Sequence, residues 1–136
     1  MIKVVLDTNT HISALGWKDG NPRKVLELCV IGKCRLIESI GLIKEFVSVI
    51  SRPKFNFITE EEKNQFLVFL LQISNLIEPK EKINAIKEDP DDNTILETAL
   101  AGKVDYVVSG DRHLLKLKQF RGIRIVTAKE FLNLIK

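Results

Sequence analysis

Cysteine is nearly absent from this chain of 136 residues: there are two, Cys29 and Cys34. They lack the C-x-x-C spacing of a redox or zinc site, and each lies in an apolar stretch. The sequence therefore reads them as buried free thiols of a reducing compartment. With only four prolines and seven glycines, collagen-like and low-complexity chains are excluded. Hydrophobic residues at 45% and charged residues at 29% exclude disorder. Long apolar runs are also missing, since none approaches the ~20 residues that cross a bilayer. The opening MIKVVLDTN turns polar too soon for a signal peptide, so the expectation is a soluble, cytoplasmic protein. Neither sign of charge dominates. Lys and Arg number 21 against 18 Asp and Glu, a net +3, which permits nucleic-acid binding without arguing for it.

What is present suits one domain over residues 1–136, long enough to bury a core with no metal or disulfide staple. Short apolar runs alternate with helical periodicity. Ile2 to Leu6, Cys34 to Ile37, Val104 to Ser109 and Ile123 to Val126 read as strands, with a weaker one around Asn75 to Glu78. Between them lie helices. Asn21 as N-cap and Pro22 in the first turn open one that stops near Gly32, and Ser39 caps another that ends at Pro53. Thr59 with Glu62, and Thr127 with Glu130, form capping boxes. A helix from about Asp92 to Ala101 is stopped by Gly102, and a short helical piece falls near Leu114 to Leu117. Such alternation implies crossover connections, hence an α/β fold with a parallel sheet of five strands and helices on both faces.

Several carboxylates stand where that fold would put a site. Asp7 directly follows the apolar run IKVVL, and Asp111 lies two residues beyond Ser109 at the end of VDYVVSG. In open parallel sheets, ligands bind beyond the carboxyl ends of the strands. Either residue alone also reads as a loop residue or helix cap. Asp92 heads the stripe formed by Ile95, Leu96, Ala99 and Leu100, the core-facing side of its helix. An anion is favoured at that end by the amide groups and the macrodipole, although Asp92 also reads as the N-cap. Asp89 and Asp91 look outward or act as caps. Glu97 lies roughly 140° around the helix from Asp92, which suits surface exposure better than a site. Glu45 has Leu42, Gly41, Ser48 and Val49 as helix neighbours, a half-apolar face that is odd for a solvated carboxylate; pairing with Arg52 is the alternative. His11 and His113 are isolated.

Carboxylates brought together without a counter-charge raise one another's pKa and resist joint ionisation. A divalent cation removes that cost. Oxygen-only ligation, with no clustered His or Cys, favours Mg²⁺ or Mn²⁺ over zinc. Such an ion supplies a hydroxide nucleophile and neutralises charge on a phosphoryl group, so phosphodiester hydrolysis is the chemistry these residue types suit.

The blocks VVLDTN, LIKEFVSVISRPKF, EDPDDNTILETAL and DYVVSGDRHLL, in this order along nearly the whole chain, resemble the PIN-domain ribonucleases. The likeness is greatest to the branch of toxin components of bacterial and archaeal toxin–antitoxin modules. The resemblance implies a three-layer α/β/α fold with a central, mainly parallel five-stranded sheet of order 3-2-1-4-5. Carried over, the family's acidic positions fall on Asp7, Glu45, Asp92 and Asp111 as catalytic and metal-holding residues. Thr8, Asn9 and Ser109 support them. The resemblance further implies a Mg²⁺- or Mn²⁺-dependent endoribonuclease acting on RNA, in homodimers, with a cognate antitoxin as possible partner. The Phe66 to Ile73 surface, beyond its share of the core, is the stretch for such a contact. Arg23, Lys54, Arg112 and Lys116 are the candidate substrate contacts.

Two other readings compete. A phosphatase of the haloacid-dehalogenase type wants a second Asp where this chain has Asn9, and a further acid where it has Leu115. A non-catalytic RNA-binding or antitoxin-binding module of the same fold is opposed by the filled acidic set.

Overall fold

The computed structural model describes residues 1–86 and 92–135. The sequence-based expectations for Asp89 and Asp91 lie outside the described residues. Strand β1 (Ile2–Leu6) enters at once, followed by helices α1 (Thr8–Gly16) and α2 (Asn21–Val30). Strand β2 (Cys34–Glu38) leads to α3 (Ile40–Ile50), a 3₁₀ turn (Pro53–Phe55), α4 (Glu60–Ile73) and β3 (Ser74–Leu76). Then come α5 (Asp92–Ala101), β4 (Tyr106–Val108), α6 (Arg112–Leu117), β5 (Gln119–Phe120), β6 (Ile123–Val126) and α7 (Ala128–Leu134).

The strands form one sheet of order β3-β2-β1-β4-β6-β5. All pairs are parallel except β5 with β6, where Gln119 faces Arg124 and Phe120 faces Ile123. The expected order is thus present, and the expected fifth strand is β6. One strand is added: β5, too short to carry a hydrophobic alternation. Its hairpin is marked instead by backbone conformation, with Lys118, Arg121 and Gly122 all at positive φ.

Alternation along the strands divides the core into two sides. Val4 and Leu6 of β1, with Leu36, Val108 and Val126, pack against Ile12, Leu26, Phe46, Leu70 and Phe131 from α1, α2, α3, α4 and α7. Val5, Ile37, Val107 and Ile125 turn to the other side and meet Ile95, Leu96 and Ala99 of α5 and Leu114 of α6. The result is the three-layer α/β/α arrangement. At the end of α5 the chain must pass close under β2. A Cβ on Gly102 would stand 2.6 Å from Ile37 Cγ2 and 3.3 Å from the Thr98 carbonyl oxygen, so only glycine fits.

Caps fix most helix starts where the sequence places them. Ser39 Oγ accepts from Leu42 N, and Thr59 with Glu62 and Thr127 with Glu130 close both capping boxes. Three details differ from expectation. Helix α2 is capped by Gly20, with Asn21 and Pro22 inside its first turn. Strand β3 covers Ser74–Leu76 and no further. Helix α1 occupies a stretch to which the sequence reading assigns no element, and Thr8, Asn9, Thr10 and His11 are poor helix formers. Tertiary burial decides it: Thr8, Thr10, His11, Ile12, Ala14 and Leu15 are all buried.

Candidate active site

At the carboxyl ends of β1 and β4 the chain leaves the sheet at adjacent points. The register pairs Leu6 with Val108, and Asp7 N donates to the Val108 carbonyl at 3.2 Å. Asp7 and Ser109, the next residues along, therefore meet. Asp7 is only 3% exposed. Its Oδ1 caps α1 by accepting from Thr10 N at 2.8 Å, and its Oδ2 accepts from the Ser109 hydroxyl in a very short hydrogen bond. Ser109 Oγ in turn accepts from Asp111 N at 2.9 Å. One hydroxyl thus fixes the Asp7 carboxylate and the backbone that carries Asp111. Asp111 caps α6, its Oδ1 accepting from His113 N at 2.7 Å and Leu114 N at 3.3 Å. Both aspartates act as helix caps and stand at the carboxyl ends of neighbouring strands.

A cavity of about 290 Å³ opens beside these residues, lined by Asp7, Thr8, Asn9, Glu45, Val49, Arg52, Asp92, Ile95 and Asp111. Glu45, Val49 and Arg52 are four and then three residues apart, one stripe along α3 and just past its end. Asp92 is the first described residue of α5 and is 8% exposed. Four carboxylates from well-separated parts of the chain therefore share one recess with a single guanidinium among the described residues.

Beneath Asp7 lies a network that the sequence gives no sign of. His11, 3% exposed, places Nδ1 2.9 Å from the Asp7 carbonyl oxygen and Nε2 2.5 Å from Glu38 Oε2. Burial opposes a charge on His11. The carboxylate of Glu38 beside it, through its charge and its hydrogen bond, and the Asp7 carbonyl outweigh that and raise the imidazole pKa above its ordinary value. The pair joins the end of β2 to α1, below the site. Its spacing of 27 residues has no local sequence signature.

The remaining candidates fall elsewhere. Arg23 donates from Nε to the Ala14 carbonyl at 2.6 Å and from Nη2 to that of Leu15 at 3.4 Å, satisfying the end of α1. It lines a different cavity, with Leu15, Lys18, Glu62, Gln65, Phe66 and Phe69. Lys54 stacks over the Phe55 ring, 5.1 Å from its centre. Arg112 and Lys116 line a third recess with His113. Glu97 is half-buried and accepts from Ile83 N at 2.9 Å, holding the segment before the described start of α5. The cation that the sequence reading leaves out of its substrate contacts is Arg52, visible there only as a partner for Glu45.

The donor set suits a hard divalent cation: only oxygen ligands, with Thr8 Oγ1 buried and lacking a hydrogen-bond partner among the described residues. As placed, no three His, Cys, Asp or Glu side chains among the described residues stand close enough to hold one ion. Asp7 and Asp111 each direct one carboxylate oxygen to their own helix N-terminus.

The sheet order, the three layers and the acid-lined recess define a class, and the chain belongs to the PIN domain family, whose model matches residues 3–113. A similar protein is the uncharacterized protein MJ1680 of Methanocaldococcus jannaschii, 30% identical over 142 residues, covering 97% of this chain and 90% of that one. Among solved structures the fold is similar to VapBC2 from Rickettsia felis, crystallised bound to a DNA fragment from its promoter. The TM-score is 0.63 at 16% identity, with 91% of this chain and 97% of that chain covered. It is also similar to PAE2754 from Pyrobaculum aerophilum, with a TM-score of 0.51 at 12% identity over 98% of this chain and 96% of that one.

Proposed function

We propose that this protein is a metal-dependent endoribonuclease, a single PIN nuclease domain that acts as the toxin of a toxin–antitoxin pair. The observation that carries the reading is the shared recess of Asp7, Glu45, Asp92 and Asp111. Four carboxylates lining one recess, two of them buried, repel one another, and a bound cation relieves that repulsion. The four carboxylates would hold Mg²⁺ or Mn²⁺, with Thr8 and Asn9 on the same wall. Such an ion, when bound, lowers the pKa of water and neutralises charge on the phosphoryl group.

The chain's own residues supply the rest. Ser109 orients Asp7 and anchors the Asp111 backbone. Arg52, on the cavity wall, is the group suited to a phosphate oxygen of the RNA backbone, since a guanidinium binds phosphate through paired N–H donors. Arg112 and Lys116, on the exposed side of α6, extend that contact along the strand. The alternative, a non-catalytic RNA-binding or antitoxin-binding module, draws support from the spread of the carboxylates as they stand. The toxin role draws its support from the likeness to VapBC2 and from the half-apolar recess of Leu15, Phe66 and Phe69, a surface suited to an antitoxin segment or a second copy.

The test is cleavage of a single-stranded RNA by the purified full chain. Cutting should require Mg²⁺ or Mn²⁺ and stop in EDTA. Activity indifferent to chelation, or RNA binding without cutting at any divalent concentration, would overturn it. Arg52→Ala should weaken RNA binding roughly tenfold, as expected for one charge-assisted phosphate contact.

A further inference from the structure

The two cysteines, unrelated by sequence spacing, are neighbours in space. Cys29 Sγ lies 3.2 Å from Cys34 Sγ. Cys29 sits in the last turn of α2, and Cys34 is the first residue of β2. Between them the chain reverses through Gly32, at φ +82°. Gly32 N donates to the Cys29 carbonyl at 3.2 Å, and Lys33 N to that of Leu28 at 2.9 Å. The backbone itself therefore holds the two sulfurs together. Neither cysteine is among the residues lining the acidic cavity.

We propose that Cys29 and Cys34 form a reversible intramolecular disulfide by exchange with a low-molecular-weight disulfide. Cys34 is 2% exposed, whereas Cys29 is half-buried and is the sulfur that a small oxidant meets. Reaction begins when the Cys29 sulfur, having given up its proton, attacks the small disulfide RSSR. A mixed disulfide forms and one RS⁻ leaves. The Cys34 thiolate then attacks Cys29 Sγ, forming the protein S–S bond and expelling the second RS⁻. Two electrons pass from the protein sulfurs to RSSR, and the two thiol protons leave with two RSH. The product ties the end of α2 to the start of β2.

The test uses the full wild-type chain equilibrated with excess oxidised glutathione, acid-quenched, alkylated and weighed intact. The expected species has lost two hydrogens, takes up no alkylating agent, and regains two reactive thiols in dithiothreitol. Cys29→Ser, at the half-buried position, should show no such loss. Two alkylated thiols in the wild type after equilibration, a persistent glutathione adduct, or covalent dimers in place of the internal bond would each overturn the proposal. Because the wild type alone decides, the folding of a variant does not bear on the outcome.

Discussion

Asp7 does two jobs with one carboxylate, and the two can be separated by substitution. As N-cap it satisfies Thr10 N, and as a buried anion it receives the Ser109 hydroxyl. Asn keeps the capping oxygen and removes the charge; Ala removes both. Asp7→Ala should therefore lose about 1–2 kcal/mol of stability, while Asp7→Asn should stay within roughly 0.5 kcal/mol of wild type or gain slightly as repulsion is relieved. Both should lose RNA cleavage. Urea unfolding in metal-free buffer checks the first pair of values, and equal losses for Asn and Ala would show that the charge itself holds the fold. The buried His11–Glu38 pair makes a pH prediction. Because the His11 pKa is raised in the folded state, protonation is favoured by folding. Its contribution is complete below the unfolded value of about 6.5 and is lost as pH rises through the folded value. Wild type should thus lose stability on the alkaline side of that window relative to Glu38→Gln, in which the charge partner is gone. Parallel stability–pH curves for the two proteins would contradict this.

At the scale of elements, what the sequence made legible depended on whether a local signal existed. Capping boxes at Thr59 and Thr127 are short-range hydrogen-bond patterns, and both helices begin where those patterns put them. The parallel strands β1, β4 and β6 read from short runs rich in Val and Ile, most of which are buried. Helix α1 carries no such mark, since its threonines and His11 favour other conformations and only tertiary packing makes it helical. Strand β5 is two residues long and is set by left-handed backbone at Lys118 and Arg121, which composition does not announce. The carboxylates at strand ends and at the head of α5 were legible as site candidates from helix phase and strand position. Arg52 as a wall of the cavity, the His11–Glu38 pair and the contact between Cys29 and Cys34 were not, because each depends on how distant or reversing segments pack. One element boundary gives a direct test of packing. Gly102→Ala pushes a methyl group into Ile37 at the junction of α5 and β2. It should cost about 1–3 kcal/mol, measured by thermal or chemical unfolding, whereas a neutral result would mean that the helix end is free to shift.

On the scale of the whole molecule, the sheet order brings the carboxylates to one edge. Strands β1 and β4 are central neighbours, so Asp7 and Asp111 emerge side by side, while α3 and α5 bring Glu45 and Asp92 to the same recess from the two flanking layers. Family membership and fold follow from the matched model and the architecture; the proposed activity depends on whether that recess takes up a cation. The direct measurement is Mn²⁺ binding to the full chain by electron paramagnetic resonance, with Asp7→Asn, Glu45→Gln, Asp92→Asn and Asp111→Asn alongside. Wild type should bind the ion, and each variant should bind it at least about tenfold more weakly, since losing even an outer-shell partner of a metal ligand typically costs that much. A wild-type protein that leaves Mn²⁺ free in solution, or four variants that bind it as wild type does, would contradict a cation-holding role for the recess.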